Sequence, residues 1–285
     1  MAPTTLHLHA PQSEQPPPHG EKVRSHGESI RGIYLLPNLF TTAGLFCGFY
    51  AIVAAINGQF IAAANSILLA GVFDIMDGKI ARLTHSATAF GVQYDSLSDL
   101  TSFGLAPGLL VYLWGLHEFG RIGWVASFIY VACAALRLAR FNVQTSTQDK
   151  RYFRGLPTPA AAGLLATTVL FYHEVQSLLG HPQEVGRPVW FVAVAYGVAF
   201  LMVSNIRYRS FKEIDLRSRY HFKVLLSVVL GGIVIVAAHE ITLFAMAAAY
   251  TASGVVGVVR SRSKLQDALQ DVEIEDVEDR DLLHR

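Results

Sequence analysis

The chain has 285 residues, 52% of them hydrophobic and only 16% charged, with a mean hydropathy of +0.36. Long apolar runs without charge argue against a soluble globular domain and indicate a polytopic membrane protein. A net charge of +1 offers no basic footprint for nucleic acid. Cys47 and Cys133 both lie inside apolar runs and read as small core residues, not as a disulfide or metal pair.

Residues 1–30 are polar and Pro-rich (Pro16-Pro17-Pro18, with His7, His9 and His19) and read as a disordered cytosolic arm without a cleavable signal peptide. The segment Ile30 to Leu36 is expected to lie along the membrane surface before Pro37 starts the first span. Spans are expected near 38–57, 60–83, 95–115, 123–141, 158–179, 188–204, 222–238 and 240–259, about eight helices near the length that crosses a bilayer core. Only His239 and Glu240 separate the last two, so a tight hairpin is expected there. With a cytosolic amino terminus, the outside segments hold only Arg121 and Arg187, and the other 21 of 23 Lys and Arg residues fall on the cytosolic side.

The loop from Asn205 to Phe222 interleaves basic residues with Tyr208, Phe211 and Tyr220, which fits topogenic charge and contact with anionic headgroups equally. Residues 263–285 form an acidic cytosolic tail, leaving 31–262 as the membrane-embedded catalytic domain. Small residues recur at helix spacing (Gly44 and Gly48, Gly104 and Gly108, Gly254 and Gly257), which suits close packing within the chain or a dimer seam.

The stretch from Asp74 to Asp99 carries four carboxylates in 26 residues. On a helix Asp74, Asp77, Gly78, Ala81 and Arg82 share one face, and Asp95 and Asp99 at i, i+4 share another. The expected topology brings both sets to one membrane side, at the end of the second span and the start of the third. So much like charge needs a cation, and hard divalent ions with oxygen ligands suit it. Helix caps, salt bridges to Lys79 and Arg82, and an ion path in a cation transporter are the competing readings. Two divalent ions on shared carboxylates suit phosphoryl chemistry, with Arg82 as a phosphate clamp, Gly78 and Ala81 clearing space for a ligand, and one carboxylate free to accept a proton.

The pattern D-x2-D-G-x2-A-R-x8-G-x3-D-x3-D runs without a departure from Asp74 to Asp99 and resembles the CDP-alcohol phosphotransferase family of integral membrane enzymes. The resemblance implies an all-α fold with a six-helix catalytic core, a homodimer, and Mg2+ or Mn2+. It implies Asp74, Asp77 and Asp95 as principal metal ligands, and Asp99 as general base with a possible metal contact of its own. Gly78, Ala81 and Arg82 would contact the cytidine and diphosphate, with Gly91 allowing close approach.

Four further stretches resemble the phosphatidylserine synthase branch: Leu36 to Thr41, Tyr94 to Asp99, Ala135 to Asn142 and Phe153 to Ala160. That branch implies CDP-diacylglycerol as donor and L-serine as acceptor, at the cytosolic face of the cell (inner) membrane. The same chemistry on glycerol 3-phosphate, inositol phosphate or choline is the nearest alternative. Arg137 and Arg140, at i, i+3 near the cytosolic end of the fourth span, suit a serine carboxylate or the donor phosphates, or else snorkelling anchors. Asn38 and Thr41 stand one turn apart as candidate donor contacts, with helix capping as the other reading for Asn38.

Overall fold

The chain is described here from a computed structural model, which describes residues 27–84, 88–144, 152–180, 189–209 and 240–257. Helix α1 spans Gly27–Ile56 and α2 spans Phe60–Leu83, joined by a three-residue turn in which the Gln59 amide donates to the Ala54 carbonyl at 2.8 Å. Their buried faces are rich in alanine (Ala51, Ala54 and Ala55 on α1; Ala63, Ala64 and Ala70 on α2), so the two backbones approach closely where lipid offers no hydrophobic drive to hold them together. Helix α1 is already formed at Gly27 and passes through Pro37, where its apolar, membrane-spanning part begins as expected. A proline removes one donor and pushes one carbonyl aside, which bends a helix without ending it when its neighbours are held.

A long rod follows, from Ala89 to Trp114. It comprises α3 (Ala89–Asp99), a π-helical stretch (Leu100–Leu105) and α4 (Ala106–Trp114). It begins six residues before the expected start at 95, because Thr88 caps it by accepting from the Gly91 amide at 3.0 Å. Asp95 is therefore inside the helix and is not its cap. The π stretch has an identifiable origin. Pro107 has no N–H to give to the Phe103 carbonyl four residues back, and the Tyr130 hydroxyl donates to that carbonyl at 2.8 Å.

A short 3-10 turn (Leu116–Phe119) leads into α5 (Gly120–Gln144), and then come α6 (Thr158–Leu178), α7 (Trp190–Val203) and α8 (Glu240–Gly257). Helix α5 packs on α7 and on the π–α4 rod, and α6 packs on α2 and α4. Gly48 and Gly108 lie so close to Ser102 and Val131 that no side chain would fit, so both expected glycine pairs that contain them serve packing within the chain. At one end Trp114 meets Phe191 and Tyr172 edge-on, at 4.9 and 5.3 Å between ring centres.

Four of these segments are long and apolar enough to cross a membrane: Pro37–Ile56, Phe60–Leu83, Leu116–Val143 and Glu240–Gly257. The chain is a helical membrane protein. The expected span at 222–238, most of the basic loop after Asn205, most of the N-terminal arm and the acidic tail lie outside the described residues.

The sequence pattern did not announce one element. Strands β1 (Tyr152–Arg154) and β2 (Arg207–Arg209) form a short antiparallel ribbon with Phe153 opposite Tyr208. Gly155 closes it with φ +78, donating its amide to the Ile206 carbonyl at 2.8 Å, where a side chain would strike the Met202 carbonyl. The ribbon joins the start of α6 to the end of α7. Since successive helices alternate in direction, the Pro37 region of α1, the Leu83 end of α2 and the Ala89 end of α3 meet on one side of the bundle. The Gln144 end of α5, Thr158 of α6 and Val203 of α7 lie on that side too.

Candidate active site

The last turns of α2 present Asp74, Asp77, Gly78 and Ala81, and α3 presents Asp95 and Asp99 against them. Carboxylate oxygens of Asp74, Asp95 and Asp99 all come within 4.8 Å of one another. The Asp74 and Asp99 carboxyl groups are in hydrogen-bond contact. Asp77 is held differently: the Thr41 hydroxyl donates to its Oδ2 at 3.0 Å, while the Thr41 oxygen lies 3.1 Å from the Pro37 carbonyl. Thr41 is thus a direct partner of the acidic cluster, reached across the α1–α2 seam.

Two cavities share this wall. The deeper one is about 10 Å³ and is lined by Asp74, Asp77, Asp95 and Asp99 together with Thr41, Ser98 and Ser102. That is the size of a single water or ion. The wider one, about 190 Å³, is lined by Asn38, Thr41, Asp77, Gly78, Ala81, Thr88, Gly91 and Asp95, among others. Gly78 faces open space, and Gly91 leaves room for the Asn38 side chain, whose Oδ1 would lie 3.4 Å from a Cβ there. Asn38 sits inside α1, well past its first turn, so capping does not explain it.

Two unit charges 4.8 Å apart repel by roughly 3 kcal/mol at an effective dielectric of ~20. Lys79 and Arg82 do not relieve this repulsion from within, because both side chains are exposed, with Arg82 on the last turn of α2. All-oxygen donors converging on an ion-sized pocket fit a hard divalent cation. Helix capping accounts for none of the four carboxylates.

The two arginines of α5 differ in their surroundings. Arg137 is 9% exposed; its Nη1 donates to Thr158 Oγ1 at 3.1 Å, and its Nε has no hydrogen-bond partner among the described residues. Arg140 donates from Nη2 to Asn205 Oδ1 at 2.8 Å and from Nη1 to the Val203 carbonyl at 3.4 Å. The Arg137 guanidinium is an electrostatic neighbour of Asp99.

Several supporting residues escape a sequence reading. Ser98 and Ser102 donate to the Thr41 and Gly44 carbonyls at 3.2 and 3.1 Å, fastening α3 and the π stretch to α1. The visible signal is Ser98 and Ser102 at i, i+4 matching Gly44 and Gly48 at i, i+4, a polar–small ladder. Ser96 and Asn142 bond to one another at 2.9 Å, tying the end of α5 beside Asp95. Thr158, the partner of Arg137, has no pattern that reveals it.

A family model described as CDP-alcohol phosphatidyltransferase matches residues 34–203. A CDP-diacylglycerol–serine O-phosphatidyltransferase of Helicobacter pylori is 39% identical over 197 residues, 69% of this chain and 81% of the relative. An archaetidylserine synthase of Methanothermobacter thermautotrophicus is 35% identical over 185 residues, 64% of this chain and 72% of the relative. A CDP-diacylglycerol–serine O-phosphatidyltransferase of Bacillus subtilis is 29% identical over 178 residues, 62% of this chain and 92% of the relative. With the family model spanning both helices of the acidic cluster and the arginines of α5, the chain belongs to the CDP-alcohol phosphatidyltransferase family.

Proposed function

We propose that this chain transfers a phosphatidyl group from CDP-diacylglycerol to the hydroxyl of L-serine, releasing CMP, as a step of phospholipid synthesis. The observation that carries the reading is the meeting of Asp74, Asp95 and Asp99 beside a cavity floored by Gly78 and Ala81, in a chain of this family. Serine as acceptor is supported by relatives whose names specify it.

Members of this family depend on a divalent metal, and the donor set fits one. Asp74, Asp77, Asp95 and Asp99 would hold Mg2+ or Mn2+, two ions for four carboxylates, and the bound metal would neutralise the diphosphate and stabilise charge on the departing CMP. Asn38, Thr41, Gly78, Ala81 and Gly91 shape the wider cavity for the cytidine and diphosphate. Arg82, exposed at the end of α2, folds over a phosphate as a clamp. Asp99 takes the proton from the serine hydroxyl. The serine oxygen then bonds to the lipid-proximal phosphorus as the bridging bond to CMP breaks. Arg137, with Arg140 behind it, receives the serine carboxylate.

The reading extends to the setting of the protein. The carboxylate face, both termini and the basic loop face the cytosol at the cell (inner) membrane, with residues 31–262 as the catalytic domain of a homodimer. The acyl chains of the donor remain in the bilayer between helices.

The test is direct. Purified protein is incubated with CDP-diacylglycerol, a divalent ion and a panel of labelled alcohols: serine, glycerol 3-phosphate, inositol phosphate and choline. Product is expected with serine. Product with another alcohol alone overturns the acceptor assignment and spares the chemistry.

A further inference from the structure

Thr41 of α1 turns both of its polar ends to the carboxylate helices. Its hydroxyl donates to Asp77 Oδ2 of α2 at 3.0 Å, and its backbone carbonyl accepts from the Ser98 hydroxyl of α3 at 3.2 Å. Thr41, Asp77 and Ser98 are only 5, 6 and 5% exposed, so water does not compete for these bonds. Ser98 immediately precedes Asp99 and follows Asp95 by three residues, so the bond grips α3 between its two carboxylates. Ser98 and Thr41 also line the ion-sized cavity together with all four carboxylates.

The Ser98 bond is not the one a helix alone would give. On the same rod the Thr101 hydroxyl turns back to the Leu97 carbonyl four residues earlier, at 3.0 Å. Ser98 and, one turn on, Ser102 instead reach across to carbonyls of α1. The Thr41 carbonyl lies inside α1, where the amide four residues on is already its helical partner. Ser98 therefore adds a second donor to a carbonyl that α1 does not need satisfied. What the bond does is fix α3 against α1, at the residue that also holds Asp77 of α2. Three helices are thereby tied through one threonine.

We propose that Ser98 is a positioning residue for the metal-holding carboxylates, setting through Thr41 the spacing between Asp77 on α2 and Asp95 and Asp99 on α3. This rests on the divalent-metal reading above, and it names what holds the two halves of that site in register. A small hard cation such as Mg2+ demands near-ideal octahedral oxygens at about 2.0–2.1 Å, whereas Ca2+ accepts longer and less regular bonds. A site divided between two helices meets the stricter demand only while the helices keep their separation. Loss of the Ser98 hydroxyl removes no ligand, but it frees α3 to shift against α1 and α2. The choice between ions should therefore suffer together with affinity.

The experiment measures ion binding without substrate. Full-length parent and variants in detergent are titrated with Mn2+, the free ion is read by electron paramagnetic resonance, and Mg2+ and Ca2+ are then added as competitors. Ser98→Ala is expected to raise the Mn2+ Kd about tenfold, the lower end of what loss of an outer partner costs a metal site. The preference for Mg2+ over Ca2+ should fall at least about threefold. Thr41→Val cuts the same path, so the double variant should bind only slightly more weakly than the weaker single one. Ser98→Thr keeps the hydroxyl and should bind like the parent. Gly44 opposite leaves space for its methyl, since even a Cβ on Gly44 would stay 4.0 Å from Ser98 Oγ. Unmoved affinity and ion preference in Ser98→Ala overturn the proposal, as do fully additive losses in the double variant or a Ser98→Thr as weak as Ser98→Ala. If Ser98→Ala does not fold, Ser98→Cys, a far weaker donor of similar size, carries the same comparison. Parent protein that binds Mn2+ no better than Asp74→Asn overturns the metal reading and this inference with it. A parent that binds better than Asp74→Asn, beside an unmoved Ser98→Ala, overturns this inference alone.

Discussion

Asp77 and Asp99 carry the same functional group in two settings, and the settings separate their expected roles. Asp77 is 6% exposed and accepts from Thr41, a fixed donor that orients its carboxylate as a ligand. Asp99 has another carboxyl, Asp74, as its hydrogen-bond partner, so the pair sits where a proton can be taken up. Asp99→Asn is expected to lower kcat by ~10²–10⁴-fold, the usual contribution of a positioned base, while binding of CDP-diacylglycerol survives. Near-normal turnover in that variant would remove Asp99 from the role of base. Asp74→Asn should instead raise the divalent-ion concentration needed for half-maximal rate and weaken donor binding together. An unchanged metal titration would show that Asp74 is not a principal ligand.

Among the elements, the rod from Ala89 to Trp114 decides how the site is held. Its π stretch begins one residue after Asp99, and the freed Phe103 carbonyl is met by Tyr130 from α5. Widened turns of this kind often lie at functional positions, because they reset the direction of side chains on either side. Tyr130→Phe keeps the ring and removes the donor, so it should cost about 1 kcal/mol of stability, read as a lower thermal midpoint in detergent. No shift in the midpoint would mean that the Phe103 carbonyl finds another partner. On the facing helix, Gly48 lies against Ser102 with no room for a side chain. Gly48→Leu should separate α1 from the rod and cost about 1–3 kcal/mol, with activity falling alongside. Retained activity would show that the α1 seam is not what places Asn38 and Thr41 at the site.

At the scale of the whole molecule, the alternation of helices puts the Thr84 end of α2 and the Glu118 turn on opposite sides of the bundle. In a cysteine-free background, Glu118→Cys in intact cells should react with a membrane-impermeant thiol reagent, and Thr84→Cys should react only after the membrane is opened. The reverse pattern would invert the proposed orientation. Both side chains are exposed, so access through the membrane, not burial, decides the outcome.

What the sequence alone determined is local. The one-face placement of Asp74, Asp77, Gly78 and Ala81 follows from helical spacing, and α2 and α6 end within a residue of where the apolar runs place them. Hydropathy and 3.6-residue periodicity are properties of near neighbours, so they survive in one dimension. Helix starts were less legible: Gly27 and Ala89 begin their helices earlier than the apolar pattern suggests, since polar residues at a membrane edge can be helical without being hydrophobic. The tertiary structure alone decided which polar groups face one another. Thr41 meets Asp77 across 36 positions, Tyr208 meets Thr251 across 43, and Arg140 meets Asn205 across 65. No spacing rule links such residues, because their meeting depends on how whole helices pack. The four carboxylates were legible from spacing, whereas the separate surroundings of the two arginines followed only from which acceptors the packed helices brought to each.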